Sequence, residues 1–116
     1  MKTHKDLDVW KLGMDLVEMV YALSKNFPKD ELYGLTSQMR RAAISIPSNI
    51  AEGAARKGNK ENVQFLYIAL GSLSELETQY LIAQRLKYVN NPNELSETIE
   101  ILRRKLLNFI KYIKTK

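Results

Sequence analysis

The sequence has no cysteine, which excludes disulfides and thiolate-bound metal as sources of stability or chemistry. Its one histidine, His4, lies close to the N-terminus in a segment expected to fray. Histidine-rich metal sites and His-centred nucleophilic catalysis therefore have little to build on. Only three prolines and five glycines punctuate 116 residues, so long irregular loops are not expected. No apolar run resembles a signal-peptide core or a membrane span, and a cytoplasmic location is the expectation. Acidic residues stop after Glu100, while Arg103, Arg104, Lys105, Lys111, Lys114 and Lys116 follow it.

What is present is helical periodicity, in four blocks and without sustained strand-like alternation. The first block carries Val9, Leu12, Leu16, Met19, Val20, Leu23 and Phe27 and stops at Pro28. The second carries Leu35, Met39, Ala43, Ile46, Ile50 and Ala54 and ends near Gly58. Asn59 can cap the third, whose stripe is Phe65, Leu66, Ala69, Leu73, Leu76, Tyr80 and Ala83. Before the fourth, Asn91 is placed to cap, Pro92 to open the helix and Glu94 to close a capping box. That last stripe is Leu95, Ile99, Leu102, Leu106, Phe109 and Ile113.

These blocks predict helices over about 7–27, 35–57, 60–88 and 92–115, in one domain spanning 1–116. Short connections make sequential helices antiparallel, so the expected fold is an all-α up-down-up-down four-helix bundle. Pro47 falls inside the second helix and predicts a kink, at a cost of about 3 kcal/mol if nothing compensates. Ser45 and Ser48 are near enough to help satisfy the freed carbonyls.

Three helices carry more apolar surface than a monomeric bundle needs. Trp10, Met14, Val17 and Tyr21 form a second strip on the first helix. Ile44, Pro47 and Ala51 form one on the second, and Ile68, Ile82 and Leu86 one on the third. A broad stripe on any single helix can simply reflect wide core packing. Three together point to self-association as a closed homo-oligomer.

The net charge of +5 is consistent with a polyanionic partner, although basic residues also serve helix C-termini. If the second and third helices form a hairpin about Gly58 and Asn59, positions adding to about 117 lie level. Arg40 and Arg41 then sit beside Glu75 and Glu77, with Glu52 further along the same strip. The expectation is a structural polar network of Arg40, Arg41, Glu52, Glu75 and Glu77. Arg56, Lys57 and Lys60 at the turn, with Arg103, Arg104, Lys111 and Lys114 on the last helix, are the candidates for phosphate contact.

No glycine-rich phosphate loop, serine nucleophile motif, zinc ligand set or Glu-x-x-His pair can be written in this chain. Neither an enzyme nor a cofactor is expected. Recognition of a membrane is not expected either, because the apolar face of the basic last helix is needed in the core.

The run Tyr33-Gly34-Leu35-Thr36-Ser37-Gln38-Met39-Arg40-Arg41-Ala42-Ala43 leads into Ser45-Ile46-Pro47-Ser48-Asn49-Ile50-Ala51-Glu52-Gly53. Phe65-Leu66-Tyr67-Ile68-Ala69 and Gly71-Ser72-Leu73-Ser74-Glu75-Leu76-Glu77-Thr78-Gln79 follow. With the opening Asp8-Val9-Trp10-Lys11, these segments resemble the four-helix-bundle proteins encoded by intervening sequences of bacterial 23S ribosomal RNA genes. The resemblance covers nearly the whole chain. It implies a homopentamer in the bacterial cytoplasm, with no established enzyme activity. It also suggests kinship with the basic pentameric accessory proteins of diversity-generating retroelements. The expected function is a non-catalytic homo-oligomer that binds RNA or DNA through basic surface. The alternative is a protein-binding scaffold or an accessory subunit of a nucleic-acid enzyme, without direct nucleic-acid contact.

Overall fold

Helix boundaries in this chain fall where side chains or turns take over from the backbone ladder. The computed structural model describes residues 3–90 and 93–116, and every regular element among them is helical. The four helices are α1 (Asp8–Ser24), α2 (Ser37–Ala54), α3 (Asn59–Arg85) and α4 (Asn93–Lys114). The capping residues Asn91 and Pro92 lie outside the described residues.

Ahead of α1, His4–Asp6 forms a 3₁₀ turn closed by a capping box. The Thr3 hydroxyl accepts from the Lys5 N–H at 3.2 Å, and Asp6 accepts from the Thr3 N–H at 3.1 Å. The His4 ring meets Trp10 edge-on at 5.2 Å. The segment expected to fray is therefore a capped turn packed on an aromatic ring.

The second helix begins at Ser37, two residues later than its apolar stripe predicts, because Leu32–Thr36 forms a wider π turn. Glu31 controls that turn, accepting the Leu35 N–H at 3.1 Å. A Cβ at Gly34 would lie 2.8 Å from the same carboxylate oxygen, so a side chain there would disturb the cap. At the other end, α2 stops at Ala54 instead of reaching 57. Ala54, counted in the apolar stripe, is exposed beside the turn. Pro47 lies inside α2, which runs continuously past it. The Ser45 hydroxyl, expected near the carbonyls that Pro47 frees, instead pairs with Ser72 Oγ at 2.8 Å and accepts from Asn49 Nδ2 at 2.9 Å.

Gly53 is where α2 and α3 approach most demandingly. A Cβ there would sit 2.7 Å from Asn62 Oδ1 and 3.0 Å from both the Asn62 carbonyl and Phe65 Cβ. Nearest this turn, Gly53 meets Asn62, and further along Ser45 meets Ser72, so the two helices run in opposite senses. Between α1 and α2, Gly13 lies against Ile46 and Pro47, and Arg40 against Tyr21. Between α3 and α4, Tyr67 meets Lys114 and Glu77 meets Arg103. The same descending-against-ascending pattern holds in each pair. The interior so enclosed contains Leu16, Val20, Met39, Ile46, Ile50, Leu66, Leu73, Leu76, Ile99, Leu102 and Leu106, all fully buried. Burying each such side chain contributes about 1.5–3 kcal/mol before conformational entropy is subtracted.

At the end of α3, the Lys87 N–H donates to the Gln84 carbonyl and the Tyr88 N–H to the Ala83 carbonyl. This is a Schellman stop, with Lys87 at φ 63° in the left-handed position that glycine usually takes. A lysine there costs about 1 kcal/mol or more. The turn delivers Tyr88 to the α1–α2 connector, where its ring packs on Phe27 at 5.5 Å and its O–H donates to Glu31 at 2.8 Å. The Leu35 N–H, and after it the Tyr88 O–H, hold the Glu31 carboxyl below its ordinary pKa, and the same bond pushes Tyr88 up.

A carboxyl with a lowered folded-state pKa adds stability that is present above its unfolded pKa and lost as pH falls through the folded value. The stability advantage of the native chain over Glu31→Gln, measured by urea denaturation, should be present at neutral pH and shrink on acidification through the carboxylate range. An advantage that grew on acidification would contradict the Glu31 assignment.

Candidate assembly interface and cationic surface

The apolar strips of α1 and α2 come together. Trp10, Met14 and Val17 from one helix, with Ile44, Pro47 and Ala51 from the other, line a groove of about 320 Å³ in which Ser48 is the one polar member. Gly13 lies below the groove where the two helices meet, and a Cβ there would make ordinary van der Waals contact with Pro47 at 3.5 Å. Pro47 is buried, Trp10, Val17 and Ala51 are half-buried, and Met14 and Ile44 are 40 % and 43 % exposed. Tyr21 continues the α1 strip and lies under the Arg40 guanidinium, 4.5 Å from its ring centroid.

The α3 strip lies elsewhere. At helical spacing, Ile68, Ile82 and Leu86 share a flank with Ser72, whose hydroxyl bonds Ser45 of α2. They lie beside α2 and not directly opposite the core. Their exposures of 50 %, 43 % and 50 % leave a second apolar surface in water. Between the two surfaces runs a polar strip on α2, where Gln38, Arg41 and Ser45 share a depression with Glu75. Gln79, on the same α3 flank, is 6 % exposed, and its side-chain oxygen has no hydrogen-bond partner among the described residues.

The expected polar network does not form as drawn. Arg40 turns toward α1, donating from Nε to Ser24 Oγ at 2.8 Å. Arg41 is exposed and has no carboxylate within 4.0 Å among the described residues. Glu75 lines the depression with Arg41 without pairing. Glu52 and Glu77 do make ion pairs, but with Arg56 at 2.6 Å and Arg103 at 2.7 Å. The physical reason is azimuth. Glu77 lies level with Arg40, yet five residues past Ser72 it has rotated about 140° round α3, toward α4.

Two of the seven phosphate-contact candidates are therefore tied down. Arg56 is paired with Glu52, lies 4.0 Å from Glu61 and stacks over Phe65 at 4.8 Å. Arg103 bridges Glu77 and Glu100. Lys57, Lys60, Arg104 and Lys111 are exposed with no carboxylate within 4.0 Å among the described residues. Lys114 rests on Tyr67, donating to its hydroxyl at 3.1 Å, and Lys116 lies over Tyr112 at 5.3 Å. Neither of these aromatic partners was singled out from sequence, although lysine and tyrosine at matching levels of facing helices could have suggested the first pair.

No group of three or more His, Asp or Glu side chains gathers in a way that could hold a metal, among the described residues. No described helix is long and apolar enough to cross a membrane. The family described as 23S rRNA-intervening sequence protein matches residues 5–108 of the chain. No curated protein matches it.

The split between tied and untied cations is measurable as stability. Arg103→Gln, which leaves Glu77 and Glu100 unpaired at a partly exposed site, should cost about 0.5–1 kcal/mol in urea denaturation. Arg104→Gln should stay within about 0.5 kcal/mol of the native chain. Equal losses would contradict the division.

Proposed function

The chain belongs to the 23S rRNA-intervening sequence protein family, and from that footing we propose that it is a non-catalytic, self-assembling bundle that holds nucleic-acid backbone. One observation carries the nucleic-acid half of this reading. Lys57 and Lys60 at the α2–α3 turn, and Lys111 and Lys114 in the last turns of α4, where Lys114 meets Tyr67 of α3, lie toward the same end of the bundle. Cations without carboxylate partners are free to replace the counterions of a phosphate chain. They supply positioning without base readout, so the expected partner is RNA or DNA bound with little sequence preference.

The assembly half is supported by the α1–α2 groove and the α3 flank, two unlike apolar surfaces on one protomer. Unlike surfaces that complement each other join head to tail and close into a ring when the rotation permits. The homopentamer implied by the family resemblance is such a ring. Repetition of the cationic end around it would raise affinity without any new kind of contact. We place the assembly in the cytoplasm.

The test is RNA binding across a salt series. Affinity should fall steeply with salt, and Lys57→Glu with Lys60→Glu should weaken binding and reduce the slope by roughly one to two. Arg103→Gln should leave the slope unchanged. Absence of binding at low salt would overturn the proposal.

A further inference from the structure

The opposite end of the bundle carries a second cationic feature with a different construction. Where α1 ends and α2 begins, a depression of about 430 Å³ is lined by Arg40, Lys25 and Lys29, by the hydroxyl residues Ser24 and Thr36, and by Phe27, Pro28 and Leu32. No carboxylate lines it. Of the two acids on the adjoining connector, Glu31 commits one oxygen to the Leu35 N–H and the other to the Tyr88 O–H. Asp30 is exposed outside the lining.

Arg40 is what distinguishes this depression from a chance cluster of surface lysines. It is half-buried, yet no carboxylate lies within 4.0 Å of it among the described residues. Its two restraints are uncharged: the Ser24 hydroxyl accepts from Nε, and the Tyr21 ring lies under the guanidinium. The head is thereby oriented while its terminal nitrogens keep their donors for another group. Partial burial of a cation without a counter-ion is unfavourable, and a bound anion would relieve it. Thr36, 3 % exposed, lines the same depression. A threonine and an oriented guanidinium therefore share one cavity wall.

We propose that this depression binds a small organic phosphate, namely a phosphomonoester carried on an aromatic or apolar body, of the nucleoside monophosphate class. A phosphomonoester brings a charge of about −1.5 to −2 and several strong acceptor oxygens, matching a forked guanidinium, two flexible ammonium groups and a hydroxyl. Phe27, Pro28 and Leu32 supply the apolar wall that a bare inorganic ion would leave unused. The volume lies within the range of small-molecule sites, about 300–1,000 Å³. The same chemistry has two sources, a free mononucleotide and the 5′-phosphate end of an RNA strand.

Calorimetric titration of the full chain with adenosine 5′-monophosphate, adenosine and inorganic phosphate tests the site. The monophosphate should bind, with the other two at least about tenfold weaker, because charged hydrogen bonds and apolar contact both contribute. Lys25→Gln with Lys29→Gln changes only exposed side chains and should weaken binding about tenfold or more. Arg40→Gln should abolish it, with circular dichroism confirming the fold. Lys57→Glu with Lys60→Glu should leave nucleotide binding untouched, which separates this site from the backbone-binding surface. No binding of the monophosphate, equal binding of adenosine, or indifference to the Lys25 and Lys29 changes would each overturn the proposal. Once nucleotide binding is established, short RNAs with and without a 5′-phosphate assign the source. Preference for the phosphorylated strand identifies an RNA terminus, and equal binding identifies the free nucleotide.

Discussion

The contact of Gly53 with Asn62 and Phe65 sets how closely α2 and α3 run, and the outer surface of the molecule follows from that spacing. With the backbones this near, Ser45 and Ser72 lie opposite each other and bond directly. Their bond fixes the rotation of both helices. Ile44, Pro47 and Ala51 are turned to the α1 side, where Pro47 lies beside Gly13 and the two apolar strips join into a groove. Ile68 and Ile82 are left on the far flank, exposed. One tight approach thus decides both what the core encloses and which apolar residues stay exposed.

Charge is arranged on the same frame. Carboxylates that project toward a neighbouring helix find arginines, as Glu77 finds Arg103, and those pairs belong to the bundle. Among the described residues, Lys57 and Lys60 at one end and Arg40 at the other have no carboxylate within 4.0 Å. At one end they are exposed lysines on an open surface, suited to a polymer of phosphates. At the other an arginine is oriented inside a partly apolar cavity, suited to a single phosphate group on a compact ligand. The two ends differ in how the cation is held more than in how much charge they carry.

Much of this was legible from periodicity. The core stripes read along the chain match the buried residues at Leu16, Val20, Met39, Ile46, Leu66, Leu73, Ile99 and Leu106, because a 3.6-residue repeat leaves little choice of inward face. The α2–α3 register was legible too, since a short turn about Gly58 and Asn59 fixes which residues lie level. Azimuth was not, and it decided the fate of the charged residues. Arg40, Arg41 and Glu77 share a level but face three directions, so the network drawn from spacing alone did not form. Arg56 illustrates a second limit. Its partner Glu52 lies one helical turn back, a pairing that i, i+4 spacing allows but does not require. The Arg40 depression was invisible in the sequence because Ser24, Thr36 and Arg40 meet only once the connector has folded.

Assembly through the exposed apolar surfaces is the central claim, and the mass of the particle in solution tests it most directly. Light scattering at micromolar concentration should give several times the 13.4 kDa of one chain, and Ile44→Glu, which places a charge in the groove, should return it to the single-chain mass. A native chain that remains monomeric at that concentration would contradict the account.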